Sequence, residues 1–109
     1  MVHALALPLL LALLVPGALR AQSLESMNVA NQLGTVLASE EFCGLSYDQA
    51  AIEKFIEEKV AADDMGFASN LQVMTEGQRY SLKDMSASSR TAHCAQIRRV
   101  AKSYEFIED

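Results

Sequence analysis

The sequence predicts an all-α domain: a small bundle of four main helices plus a short helical turn, stapled by one disulfide. Three observations predict it. Apolar residues recur at three- and four-residue spacing in four separate stretches, and no strand-type alternation stands out. Ser and Asp residues stand where helices should start, and glycines where they should stop. Two cysteines, Cys43 and Cys94, flank most of the expected core.

The chain has 109 residues, room for one domain. Residues 1–21 read as a signal peptide. Leu5 to Val15 is an apolar run broken only by Pro8, followed by the breaker Pro16-Gly17 and a cleavage region ending at Ala21. Leu19, at −3, is larger than the small residue preferred there, and Met1-Val2-His3 carries no Lys or Arg. The alternative, an uncleaved anchor, is disfavoured because the run falls short of the roughly 20 apolar residues a spanning helix needs. The domain is then residues 22–109. Arg20 leaves with the leader, so the net charge moves from −5 to −6. Such a balance excludes a general affinity for nucleic acid or an anionic membrane, and no membrane insertion is expected after cleavage.

Residues 22–27 are polar and expected to fray. The first helix is expected from Ser26 to Glu40, with Val29, Leu33, Val36 and Leu37 on one stripe and Met27 and Ala30 at its edge. Gly34 inside it costs about 1 kcal/mol relative to Ala, which close approach of a neighbouring helix would justify. Gly44 marks the following turn.

The second helix should start with a capping box, Ser46 as N-cap and Gln49 three residues on. Ala51, Ile52, Phe55, Ile56 and Val60 form its inner face, and Glu53, Glu57 and Glu58 its outer one. Lys54 with Glu58, and Lys59 with Asp63, are spaced to pair. Asp63 or Asp64 should cap the third helix, which buries Phe67, Ala68, Leu71 and Met74 and ends at Gly77. Ser81 to Asp84 repeats the capping pattern, predicting one helical turn that packs Leu82 and Met85 inward. The last helix runs from Ser86 to about Phe106. Cys94, Ile97, Ala101 and Tyr104 face inward beside Val100, and Arg90, Arg98, Arg99 and Lys102 lie on the other faces.

Both cysteines fall on core-facing positions, as a structural disulfide requires. Closing a loop of about 52 residues contributes roughly 4 kcal/mol in the chain-entropy picture. A redox site would show Cys-x-x-Cys, which is absent. Two free buried thiols are the other alternative.

His93 adjoins Cys94, but adjacent helix positions point about 100° apart, so the two do not converge on one metal. No metal or other cofactor is expected. His93 reads as a boundary residue, with pH sensing as its functional alternative. The acidic pairs Glu40-Glu41 and Asp63-Asp64 stand at helix boundaries, where carboxylates cap or meet water. Arg90, Arg98, Arg99 and Lys102 are candidate contacts for an anion or a partner, or counterparts to the acidic second helix. Met27, Met65, Met74 and Met85 read as core filling more than as an adaptable binding surface.

Three stretches carry a resemblance: Asn28 to Leu45 (NVANQLGTVLASEEFCGL), Ala61 to Ala68 (AADDMGFA) and Ser86 to Gln96 (SASSRTAHCAQ). Together they resemble a family of small exported helical proteins of alphaproteobacteria with two cysteines. Some of its members bear signal-recognition-particle names. Such a component would be cytosolic and, if it bound RNA, basic, whereas this chain reads as exported and acidic. A looser, architectural likeness is to HdeA-type periplasmic acid-stress chaperones, which are also short exported helical chains with one disulfide. Those carry a Trp beside the first cysteine, and this chain has none.

The expectation for function is therefore a non-catalytic periplasmic or secreted interaction protein with an unidentified protein partner. The alternative is an acid-stress chaperone. An enzyme is not expected, because no base–nucleophile pair or metal set is visible.

Overall fold

A long first helix forms the spine of the molecule. The computed structural model describes the backbone of residues 15–109 and the side chains of residues 24–109. The chain forms α1 (Val15–Phe42), α2 (Gln49–Lys59), α3 (Phe67–Leu82) and α4 (Ala87–Ser103), with no strand among the described residues. Most of the expected leader, up to Leu14, lies outside the described residues. The expected cleavage junction, Ala21–Gln22, falls inside α1.

Residues 22–26 continue the helix instead of fraying. No glycine or proline interrupts the chain between Gly17 and Gly34. Ser26 also donates to the Asp64 carboxylate, which ties this turn to the segment ahead of α3. Further along, Ala30, Gly34 and Ala38 recur every four residues, and all are buried. Their small size lets α3 come close: a Cβ added to Gly34 would stand 3.1 Å from the Met74 Cβ and 3.2 Å from the Thr75 backbone nitrogen. That is the close approach Gly34 predicts. Ser26 lies beside Asp64, Gly34 beside Met74, and Ala38 shares a cleft wall with Leu82, so α1 and α3 run parallel.

α2 starts two residues later than its capping box predicts. Asp48, not Ser46, is the N-cap, accepting from the Ala50 N–H at 3.0 Å, and Gln49 is the first helical residue. Tertiary contacts decide this. The buried Tyr47 donates its hydroxyl to the Val36 carbonyl at 2.9 Å, its N–H donates to Glu40, and the Asp48 N–H donates to the Phe106 carbonyl. With Tyr47 and Asp48 so held, the chain turns helical only after them. The expected inner face of α2 packs against the core, though no residue of α2 is fully buried. Neither expected lysine pair forms among the described residues; Lys54 lies 3.9 Å from Glu105 instead.

α3 departs from expectation at both ends. Its N-cap is Gly66, with no side-chain cap; the Asp64 carboxylate is engaged by Ser26, and Asp63 caps nothing. Phe67, Leu71 and Met74 face inward as spaced, but Ala68 is exposed, being turned about 100° from Phe67. Gly77 does not end the helix, which runs on through Leu82. Thr75 and Leu82 are both buried, so the inner stripe continues past the glycine. The separate turn expected at Ser81 is thus the last turn of α3. Ser81 donates back to the Gly77 carbonyl rather than capping, while Leu82 and Met85 do pack inward.

α4 begins as expected, with Ser86 accepting from the Ser89 N–H. Cys94, Ile97 and Ala101 are buried, and Tyr104 and Val100 are half-buried. The helix stops at Ser103, short of Phe106. The Glu105 N–H donates to the Lys102 carbonyl and the Phe106 N–H to the Ala101 carbonyl, a Schellman turn with Glu105 in the left-handed region. This folds Phe106 back into the core, 1% exposed, against Tyr47, Phe55 and Tyr104 at ring separations of 5.5, 5.8 and 5.4 Å. The Cys43–Cys94 disulfide, with Cα atoms 5.4 Å apart, fastens the end of α1 to the middle of α4. No buried side-chain nitrogen or oxygen among the described residues lacks a hydrogen-bond partner.

Candidate functional site

The buried stripe of α4 fixes what its outer surface presents. With Cys94, Ile97 and Ala101 turned inward, helix geometry spreads Arg98, Lys102 and Arg99 across about 100° of the outward surface, on either side of Ala95. All three cations are exposed, and none is within ion-pairing distance of a carboxylate among the described residues. Arg99 reaches only Gln96 on its own helix, at 3.2 Å. The pairing with α2 that the charge pattern suggests does not form among the described residues, where the ion pairs are Lys54–Glu105 and Arg79–Glu76.

Arg90 does not belong to that patch. It lies over the Phe42 ring, 4.0 Å from the centroid, and donates to the Phe42 carbonyl at 2.9 Å. It therefore closes the C-terminal end of α1, where a free carbonyl and the negative end of the helix dipole both favour a cation. Sequence reasoning grouped it with the other three because nothing in the sequence shows that Phe42 sits beneath it.

His93 is half-buried. Its Nε2 lies 2.8 Å from the Ser39 hydroxyl, and its ring meets Phe42 edge-on at 6.0 Å. Ser39 is fully buried and donates its proton to the Thr35 carbonyl at 2.7 Å. The imidazole Nε2 is paired with Ser39 Oγ in a role set by its tautomer. This Ser–His pair joins two helices and leaves the hydroxyl without access to a substrate. Both cysteines are spent in the disulfide, so neither is a thiol or a metal ligand. Among the described residues no group of three or more His, Cys, Asp and Glu side chains could hold a metal ion.

Shallow clefts open on the surface of the described residues. One, of about 290 Å³, has Ala38, Phe42 and Leu82 as its floor and Glu41, Arg79 and Lys83 at its rim. Another, of about 310 Å³, lies between α2 and the end of α4 beside Phe55 and Tyr104. Elsewhere, the Tyr47 hydroxyl is pushed up to about 12 by burial and then by the nearby Glu40 carboxylate.

Two features escaped the sequence reading. Val73 and Tyr80 stand out from α3 at 71% and 74% exposure, with Gly77 between them. Their seven-residue spacing was visible, but placing the helix end at Gly77 hid it. Of the methionines, Met74 and Met85 are half-buried, whereas Met27 and Met65 are exposed, against the core-filling expectation. Among the described residues no helix is long and apolar enough to cross a membrane. Comparison with protein-family models, curated proteins and solved structures finds no match to this chain.

Proposed function

We propose that this chain is a non-catalytic protein exported to the periplasm or beyond, a disulfide-clamped helical module that binds an acidic protein partner through the outer face of α4. One observation carries the reading. Arg98, Arg99 and Lys102 form an exposed cationic surface on a disulfide-anchored helix, without carboxylate partners among the described residues of an acidic chain. A local patch of one sign steers association with a surface of the other. The disulfide suits an oxidising compartment.

Crosslinking of the exported protein in its native compartment, followed by capture of the partner at neutral pH, tests this. The wild-type chain is expected to retain a specific partner at low salt and to lose it as ionic strength rises. Replacing Arg98, Arg99 and Lys102 together by Glu should abolish capture without unfolding the domain. Equal capture by that variant overturns the reading.

The acid-stress reading draws support from a separate observation. Carboxylates accept hydrogen bonds at both linkers around α2: Glu40 from the Tyr47 N–H, Asp48 from the Ala50 N–H and Asp64 from Ser26. At about pH 2 to 3, where ordinary carboxylates are protonated, a chaperone of this kind loses tertiary structure and suppresses client aggregation. A domain that stays folded there and protects no client eliminates it.

A further inference from the structure

The outer face of α3 contains a glycine that nothing among the described residues explains. Gly77 lies in the helix interior, where glycine is the least favourable residue except proline. A Cβ built on it would meet nothing within 4 Å, and its backbone is not left-handed. Gly34 shows what a helical glycine does elsewhere in this molecule: it lets another helix come close. No helix among the described residues approaches Gly77. The same face carries Val73 and Tyr80, two of the most exposed large apolar side chains, one turn to either side of the glycine.

We propose that this face is a symmetric interface with a second copy of the chain, two α3 helices crossing antiparallel near Gly77. The sequence of the face is complementary to itself. With the two-fold axis between Glu76 and Gly77, Val73 of one copy stands opposite Tyr80 of the other, and the contact occurs twice, as two-fold symmetry requires. Glu76 of each copy comes beside Arg79 of the other on one flank, while the two glycines meet on the other flank and let the backbones close. Within one chain Arg79 already pairs with Glu76, and both side chains are about half exposed or more, at 48% and 62%. The two charges can therefore exchange partners across the axis. One pair of helices buries a small area, so the dimer is weak and seen only at high concentration.

Sedimentation of the oxidised protein from about 10 µM to about 1 mM tests the proposal. A monomer–dimer equilibrium is expected, and a monomer throughout that range overturns it. Tyr80→Ala should weaken dimerisation about tenfold or more. Gly77→Ala should raise the thermal midpoint of the monomer, since the site is open, while weakening the dimer. A dimer untouched by both substitutions lies elsewhere and also overturns the proposal. Charge exchange gives the sharpest arm. Glu76→Arg alone and Arg79→Glu alone should each dimerise poorly, and mixing the two variants should restore association as a heterodimer. A purely intrachain role for the pair predicts no gain on mixing. Reversing the α4 charges leaves this interface intact, so the test is independent of partner binding.

Discussion

Glu105 stands after α4 where Gly44 stands after α1. The two residues have φ of 66° and 67°, and each closes its helix with the same pair of backbone hydrogen bonds, reaching five and three residues back. Glycine adopts this left-handed conformation freely; a residue with a side chain is strained by about 1 kcal/mol or more. The strain at Glu105 is tolerated because the turn delivers Phe106 to the centre of the aromatic cluster.

Glu105→Gly should therefore stabilise the protein by roughly 0.5–1 kcal/mol. The lost contact with Lys54 is exposed and contributes little. Gly44→Ala should destabilise by about 1 kcal/mol. Denaturant unfolding of the two variants beside the wild type checks both signs; a destabilised Glu105→Gly would show that the side chain, not the backbone turn, matters there.

Gly34 should tolerate no branched side chain. The nearest atoms to an added Cβ include the Thr75 backbone nitrogen, which cannot rotate away. Gly34→Val should cost about 1–3 kcal/mol or more by forcing α1 from α3. Gly34→Ala should fall nearer neutral, because its helix-propensity gain of about 1 kcal/mol offsets part of the crowding. Thermal denaturation of the pair measures the contrast.

Tyr47 gives a pH signature. Its folded pKa is raised to about 12 from the ordinary 10, first by burial and then by Glu40. The neutral phenol is favoured in the fold, so its contribution is complete below pH 10 and is lost as pH climbs from about 10 to about 12. The loss should approach about 2–3 kcal/mol at the upper end. Tyr47→Phe should remove this alkaline loss while costing about 1 kcal/mol at neutral pH, through the hydrogen bond to Val36. Stability of both proteins measured from pH 7 to about pH 12 checks it.

The inner faces of the helices were legible because one short period, three to four residues, encodes both the helix and its burial. Phe67, Leu71 and Met74, and likewise Cys94, Ile97 and Ala101, lie where that period puts them. The boundaries were less legible, for a physical reason in each case. Ser46 carries a good capping pattern, but burial of Tyr47 shifts the cap to Asp48. Gly77 carries a stop signal, but Leu82 beyond it still has core to fill. Helix-end residues state a local preference, and one buried aromatic or leucine outweighs it. The site was legible in part. The basic residues of α4 were identifiable from composition, but only the partners of Arg90 show that it belongs to the end of α1. The outer face of α3 became visible once the helix was known to continue past Gly77.

The central claim is that the Cys43–Cys94 bridge is the clamp that lets a small helical domain hold its fold and present its outer faces. It closes a 51-residue separation between the end of α1 and the middle of α4. Denaturant unfolding of the oxidised protein against the Cys43→Ser/Cys94→Ser double variant tests it most directly. The predicted result is a loss of roughly 4 kcal/mol or outright failure to fold, with no reactive thiol in the wild type. Equal stability of the two proteins, or two freely reactive thiols in the wild type, would contradict it.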